Sequence, residues 1–395
     1  MTDSRRDLTL DAALGLSETN EQELLAEILR RGPLLPDDIL FLSGSLIETL
    51  GNRLSDIDVY VISERDLAGC FGRRPDAFEF KGLMIDLQMV ARREVDELLG
   101  RLESLPSAAR YVSRRFSFAD WQFLHRLMAG RAPIGEVAFA AIQGRVTLQT
   151  LARFKLEWAT EWITRLQVDL AGLHAGGDWQ SMLFVAQQLL GYSVDCLLAA
   201  YGLTNPSPKW RIRLLNRLPA RWESCLPGRH TGLSATDRYL TLSQTPARLD
   251  ASSVYAYALR AVGFARIVVP WAEWGLRHGA SVDMPGLRVD ARRDDTSRGS
   301  PLPFLALDVQ TRYDGCRFLL RKVDTPRHLL PISTTVLSIL SLYDGETSSQ
   351  AVSEVIVPSA EAPISAADVD SLVRHFQLAA PSFAADRVLR PALDL

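Results

Sequence analysis

An apolar run that carries two carboxylates one residue apart is the strongest constraint in this chain. In LSGSLIETLGNRLSDIDVYVISE, residues 42–64, Gly44 and Ser45 close an apolar run, and Asp56 and Asp58 open the next, DIDVYVIS. Side chains alternate across a strand, so carboxylates at i and i+2 point to one side. Two like charges that close are costly unless a divalent cation neutralises them, and hard oxygen ligands suit Mg²⁺. The Gly-Ser turn, opening an expected short helix LIETLG, can present backbone N–H groups and the Ser45 hydroxyl to a phosphate. A third acid, Asp86, lies alone in the apolar stretch GLMIDLQMV, where an unpaired carboxylate would be expensive to bury. The competing reading is plain: a solvated strand edge for Asp56 and Asp58, a satisfied structural acid for Asp86, and a helix N-cap for Ser45.

The surrounding pattern suits a small α/β sheet. NEQELLAEILRR, residues 20–31, has helical periodicity, an Asn20 cap and a Gly32-Pro33 stop. ILFLSGS, DIDVYVIS and FEFKGLMIDLQMV then read as strands. From about 94 to 275 the segments become long and amphipathic, as in TLARFKLEWATEWITRLQVDLAGL, and predict a helical region. Residues 276–300, rich in Gly, Arg and Asp, read as a linker. After Pro301 come strand-like runs around an Asp314-Gly315 hairpin signal, then three short helices opening near Ser333, near Ser348 and at Ser365. The predicted class is α+β multidomain: residues 1–95 a small mixed-sheet domain, 96–275 an α-helical bundle, and 301–395 a winged-helix-like unit.

With 47% hydrophobic residues over 395 positions, there is enough core for two or three domains. A net charge of −3 gives no global pull toward nucleic acid or anionic membrane, so phosphate binding has to come from local clusters. The four cysteines, at 70, 196, 225 and 316, are too scattered for a C-x-x-C zinc site or a disulfide framework, and the histidines make no H-x-x-x-H pair. No apolar run approaches the roughly 18 residues of a membrane span, and the expected setting is the reducing cytoplasm.

Gly44-Ser45, ten intervening residues, Asp56-Ile57-Asp58-Val59 and a later-strand Asp86 together resemble the signature of the DNA polymerase β-like nucleotidyltransferase superfamily, over about residues 35–95. The resemblance implies that Asp56 and Asp58 hold two Mg²⁺ ions bridging the phosphates of an NTP, with ATP the expected donor. It implies that Asp86 binds the catalytic metal and helps activate the acceptor hydroxyl.

Further along, LLAAYGLTNPSPKWRIRLLNRLP predicts a helix ending at Gly202 and a new one opened by Ser207-Pro208. Lys209, Arg213 and Arg217 recur every fourth residue as one basic stripe that can face the triphosphate, Lys209 being the leading phosphate contact. A solvated face is the alternative. This segment also resembles the helical domain of aminoglycoside-type nucleotidyltransferases. Tryptophans 158, 162, 179 and 210 read as core or interface.

The C-terminal order of strand, hairpin, strand, LLPIS and the helix STTVLSILSLYDGE resembles the peptide-binding domain of pyrroloquinoline quinone biosynthesis, the precursor recognition element of enzymes that modify ribosomally made peptides. The resemblance implies a leader peptide added as a strand along Leu329, Leu330 and Ile332, facing Val369, Leu372 and Val373 on the last helix. DNA binding is not expected, because SSQAVSEVIV and ADVDSLVRHFQL are poor in basic residues. The combined expectation is NMP transfer to a precursor peptide. Two alternatives stay open, a small-molecule adenylyltransferase with a structural C-terminal unit and a non-catalytic scaffold. Oligomeric state is not legible.

Overall fold

Short polar side chains open the first two helices. Thr9 Oγ1 accepts the Ala12 N–H at 3.2 Å ahead of α1 (Leu10–Leu16), and Asn20 Oδ1 accepts the Glu23 N–H at 3.0 Å ahead of α2 (Glu21–Arg31). The computed structural model describes residues 8–31, 34–65, 76–105, 115–279, 284, 288–290, 302–323, 329–359, 367 and 371. The chain forms two compact units, one of Met1–Phe154 with Thr204–Trp210, the other of Lys155–Leu203 with Arg211–Leu395.

In the first unit the strands are β1 (Ile39–Ser43), β2 (Ile57–Ser63), β3 (Asp76–Phe80) and β4 (Leu83–Ala91). The helices α3 (Arg92–Glu103) and α4 (Phe118–Ala129) follow, then β5 (Arg131–Ile134) and α5 (Glu136–Gln143). The sheet order is β3-β4-β2-β1-β5, with β2 and β4 parallel and the other pairs antiparallel. On one face Ile57, Val59 and Val61 join Leu40, Leu42 and Ile85 in a core with Leu10, Leu14, Leu24 and Ile28 of α1 and α2. On the other, Phe41 stacks on Tyr60 with ring centroids 4.9 Å apart, and Phe123 of α4 and Phe139 of α5 pack onto Phe41.

Several local expectations are corrected. FEFKGLMIDLQMV is two strands, folded back at Lys81 (φ 48°) and Gly82 (φ 79°), the paired left-handed conformation that matches the twist of a two-residue hairpin. LIETLG does not wind into a helix but stays a hydrogen-bonded turn, with Glu48 N–H on Gly44 O at 3.1 Å and Leu50 N–H on Ser45 O at 2.7 Å. Thr49 at φ 57° breaks the right-handed run. RAPI, inside the stretch read as helical, pairs with β1 as the outermost strand β5.

The chain continues through α6 (Leu148–Gly176), α7 (Trp179–Ala200), α8 (Arg211–Leu215), β6 (Gly228–His230), α9 (Ala235–Ser243), α10 (Ala251–His278) and β7 (Arg288–Asp290). It ends, among the described elements, in β8 (Val309–Tyr313), β9 (Phe318–Lys322), β10 (Leu329–Ile332), α11 (Thr334–Leu340) and α12 (Ser349–Ser359). In the second unit α7 and α10 pack along each other. By length and composition α7 could cross a membrane, which the sequence reading did not anticipate. Two thirds of its apolar window, 67%, is buried inside the protein. Its Asp195 carboxylate meets Arg211 at 2.5 Å and the fully buried Lys155 at 3.7 Å, so α7 is a core helix built around a charge cluster. The stretch 276–300 is not only a linker, because β7 pairs parallel with β6.

The Asp314-Gly315 signal does form a hairpin. Asp314 Oδ1 accepts the N–H groups of Cys316 and Arg317, each at 3.0 Å, Gly315 takes φ 100°, and β8, β9 and β10 make an antiparallel sheet. This sheet is bonded to α6 and α10 through buried side chains. Arg266 donates to Val309 O at 2.8 Å, to Leu305 O at 3.1 Å and to Ala306 O, while Gln167 donates to Leu307 O at 2.9 Å. Burial, with no carboxylate at hydrogen-bonding distance among the described residues, pushes the Arg266 guanidinium down to about 9. Ser333 caps α11, its Oγ accepting the Val336 N–H at 3.2 Å. Of the third helix expected from Ser365, positions 369, 372 and 373 lie outside the described residues.

Candidate active site

The register of the first-unit sheet decides which carboxylates meet. Asp58 on β2 lies directly opposite Asp86 on β4 and opposite Ser43 on β1. These two acids therefore share one sheet face, the face that carries Tyr60 and Phe41 farther along, while Asp56 lies just before β2 and near enough for its charge to act on Asp58. Asp58 is packed so closely over Gly44 (φ 85°) that a β-carbon there would sit 1.9 Å from its Oδ2. Ser45 is 7% exposed, held in the turn that Gly44 begins.

Asp58 is the electrostatic centre. Burial, reinforced by the negative charges of Asp56 and Asp86, pushes its carboxyl up to about 6 from the ordinary 3.8. Two cations pull the other way, first Arg126 and then Lys209. Arg126 of α4 places a guanidinium nitrogen 3.2 Å from Asp58 Oδ1 and lies over the Tyr60 ring at 5.2 Å. Its backbone is tied to the same strand pair, because Ser43 Oγ donates to the Arg126 carbonyl at 3.1 Å. Arg126 carries no motif that sequence reading can use. Its only local signal is a basic residue near the end of a largely apolar helix.

Lys209 is brought to this unit with the segment 204–210, and its ammonium lies 4.9 Å over the Trp210 ring. The basic stripe is corrected. Pro208–Trp210 is a turn of 3₁₀ helix and α8 runs only over Arg211–Leu215, so Lys209, Arg213 and Arg217 do not share one continuous helical face. Arg213 and Arg217 belong to the second unit.

The donor set on the sheet face is all oxygen, and the carboxylates of Asp56, Asp58 and Asp86 are the described groups that could hold Mg²⁺. They do not stand as a closed cage: among the described residues no group of three His, Cys, Asp or Glu side chains is positioned as one, and Asp58 is paired with Arg126 instead.

At the C-terminal sheet, β10 is an edge strand in the order β10-β9-β8. Leu329 and Leu330 are each 49% exposed, while Ile332 is buried. Pro331 between them lacks an N–H, as edge strands tolerate.

No protein-family profile matches the chain, and no curated protein matches it. Among solved structures it is similar to a nucleotidyltransferase-like protein from Exiguobacterium sibiricum 255-15, at 11% identity and a TM-score of 0.34, over 67% of this chain and 74% of that one.

Proposed function

We propose that the chain is a metal-dependent nucleotidyltransferase that transfers a nucleoside monophosphate, with ATP the expected donor, to an acceptor and releases pyrophosphate. The observation that carries this reading is Asp58 seated over Gly44, coupled to Asp56 and Asp86 and flanked by Arg126 and Lys209. Such a set of acids gains by binding a polyanion only together with cations, and triphosphate with Mg²⁺ has that composition. Bound on the three carboxylates, Mg²⁺ would neutralise charge on the triphosphate and on the departing pyrophosphate.

The remaining chemistry falls to the chain itself. The turn 44–50 would present backbone N–H groups and the Ser45 hydroxyl to phosphate oxygens. Lys209, exposed and cationic, would hold the triphosphate. Arg126, once displaced from Asp58, would find a new anionic partner in the same triphosphate. The acceptor oxygen forms a bond to the α-phosphorus as the bond to the bridging α–β oxygen breaks, and we assign the acceptor's proton to Asp86.

For the acceptor we propose a ribosomally made precursor peptide, its leader added as a strand along β10. The exposed Leu329 and Leu330 on β10, an edge of its sheet among the described strands, support this. A small-molecule acceptor is favoured by one contrary observation: the same sheet is bonded to α6 and α10 through buried Gln167 and Arg266, as a purely structural element would be. The full chain incubated with Mg²⁺ and each NTP should release pyrophosphate only with an acceptor, and mass spectrometry should find one nucleoside monophosphate on a peptide encoded nearby. Transfer to aminoglycoside-like amino sugars and to no peptide overturns the peptide acceptor. Absence of pyrophosphate release with every NTP and acceptor overturns nucleotidyl transfer.

A further inference from the structure

We infer that Glu48 and Asn205 form a largely buried clamp whose role is to position Lys209 for the phosphates of the nucleotide; the inference rests on the nucleotide-binding reading above. Residues 204–210 belong to the first unit although the chain on either side of them belongs to the second. Something must hold so short a visiting segment in place, since it brings no helix of its own beyond one 3₁₀ turn.

The described contacts that hold it are polar and buried. Asn205 Nδ2 donates to Glu48 Oε1 at 2.9 Å and Oε2 at 3.0 Å. Thr204 Oγ1 and Glu48 Oε2 both lie 3.1 Å from ring nitrogens of His125, at Nδ1 and Nε2 respectively. If Nε2 carries the hydrogen, it donates to Glu48 while Nδ1 accepts from the threonine hydroxyl, so one tautomer satisfies the whole chain of bonds. Thr204, Asn205 and His125 are 3%, 7% and 4% exposed and the Glu48 side chain 13%, so water has limited access to these bonds.

Both ends of the clamp are wired to the site. Glu48 sits in the turn that Gly44 and Ser45 begin, its N–H bonded to Gly44 O at 3.1 Å. Asn205 uses its other side-chain atom, Oδ1, to accept the Ser207 N–H at 2.9 Å, and Ser207 O in turn accepts the Trp210 N–H at 3.2 Å. One asparagine thus fixes the carboxylate of the phosphate turn and the 3₁₀ turn that carries Lys209. A charge-assisted bond to a partly buried carboxylate is among the stronger side-chain bonds, and it sets the angle of approach of a lysine that is itself exposed.

The test is a double-mutant cycle on the full chain, read by calorimetric titration with Mg·ATP and, in parallel, Mg·GTP, Mg·CTP and Mg·UTP, with circular dichroism to verify folding. Asn205→Ala and Lys209→Ala should each weaken binding of the preferred nucleotide about tenfold, and the double variant should be no weaker than Lys209→Ala alone, because the clamp acts through the lysine. In turnover, Asn205→Ala should raise KM and leave kcat unchanged. If Asn205→Ala fails to fold, Glu48→Gln, which keeps the shape and removes the charge, is put through the same cycle. Unchanged affinity in the clamp variant, or losses that multiply in the double variant, overturns the clamp while leaving nucleotide binding intact. A wild-type chain that binds none of the four nucleotides overturns the nucleotidyltransferase reading itself, and the clamp's role with it.

Discussion

Gly44 and Asp58 occupy the same space: a β-carbon on Gly44 would lie 1.9 Å from Asp58 Oδ2, and Gly44 holds φ 85°, which side-chain-bearing residues avoid. Gly44→Ala should therefore displace the Asp58 carboxylate and cost about 1–2 kcal/mol of backbone strain besides. The expected outcome is a folded protein with a lowered melting temperature and nucleotide transfer reduced about a hundredfold or more. Unaltered transfer would remove Asp58 from the chemistry.

Asp58→Asn should separate stability from activity. Because the folded-state carboxyl is pushed up to about 6, the folded protein holds a proton that the unfolded chain has released between roughly pH 4 and 6, so stability falls as pH rises through that window. At pH 8 the ionised side chain costs on the order of 2–3 kcal/mol, a cost the asparagine does not incur. Urea unfolding without ligand should show the variant more stable at pH 8 and not at pH 4, while transfer drops by about three orders of magnitude or more. An equal stability difference at both pH values would show that the buried charge is not its source.

Arg126→Ala should act with the opposite sign, in the window just above. Arg126 lowers the cost of ionising Asp58, so removing it raises the Asp58 carboxyl further; the loss of stability appears as pH rises above about 6 and is absent near pH 4, where Asp58 is protonated. Arg126 is partly solvated, which limits the loss to about 1 kcal/mol. Denaturant midpoints at the two pH values check it.

Asp195→Asn should leave Lys155 and Arg211 without their shared carboxylate in the core of the second unit, Lys155 at 1% exposure. The expected destabilisation is about 3 kcal/mol or more. Gly191→Ala should also destabilise, since its β-carbon would stand 2.5 Å from an Arg211 nitrogen. Equilibrium unfolding measures both.

Leu329→Asp combined with Leu330→Asp should leave stability nearly unchanged, since both side chains are half exposed, yet abolish capture of a leader peptide that adds along β10. Fluorescence anisotropy with the labelled peptide reads the loss. The full chain is the right background, because deleting residues from about 301 onward would leave the buried guanidinium of Arg266 without its carbonyls.

Local periodicity alone determined a good part of this molecule. The apolar run after Asp56 formed β2 with Asp58 in it, Asn20 and Ser333 opened their helices, and Asp314-Gly315 turned its hairpin, because each of these depends on a few consecutive residues. The same short-range logic misjudged Lys81-Gly82, which folds one apolar run into two strands, and the stripe through Lys209, which needed a regular helix reaching Arg217 where α8 ends at Leu215. What only the tertiary structure decided are the partnerships between distant residues: Asp58 with Asp86 across parallel strands, Asp58 with Arg126, Glu48 with Asn205, and β5 with β1. No local preference encodes these pairs. They exist because closing the chain around a shared core offsets the entropy of bringing them together, and only the folded packing makes that balance favourable.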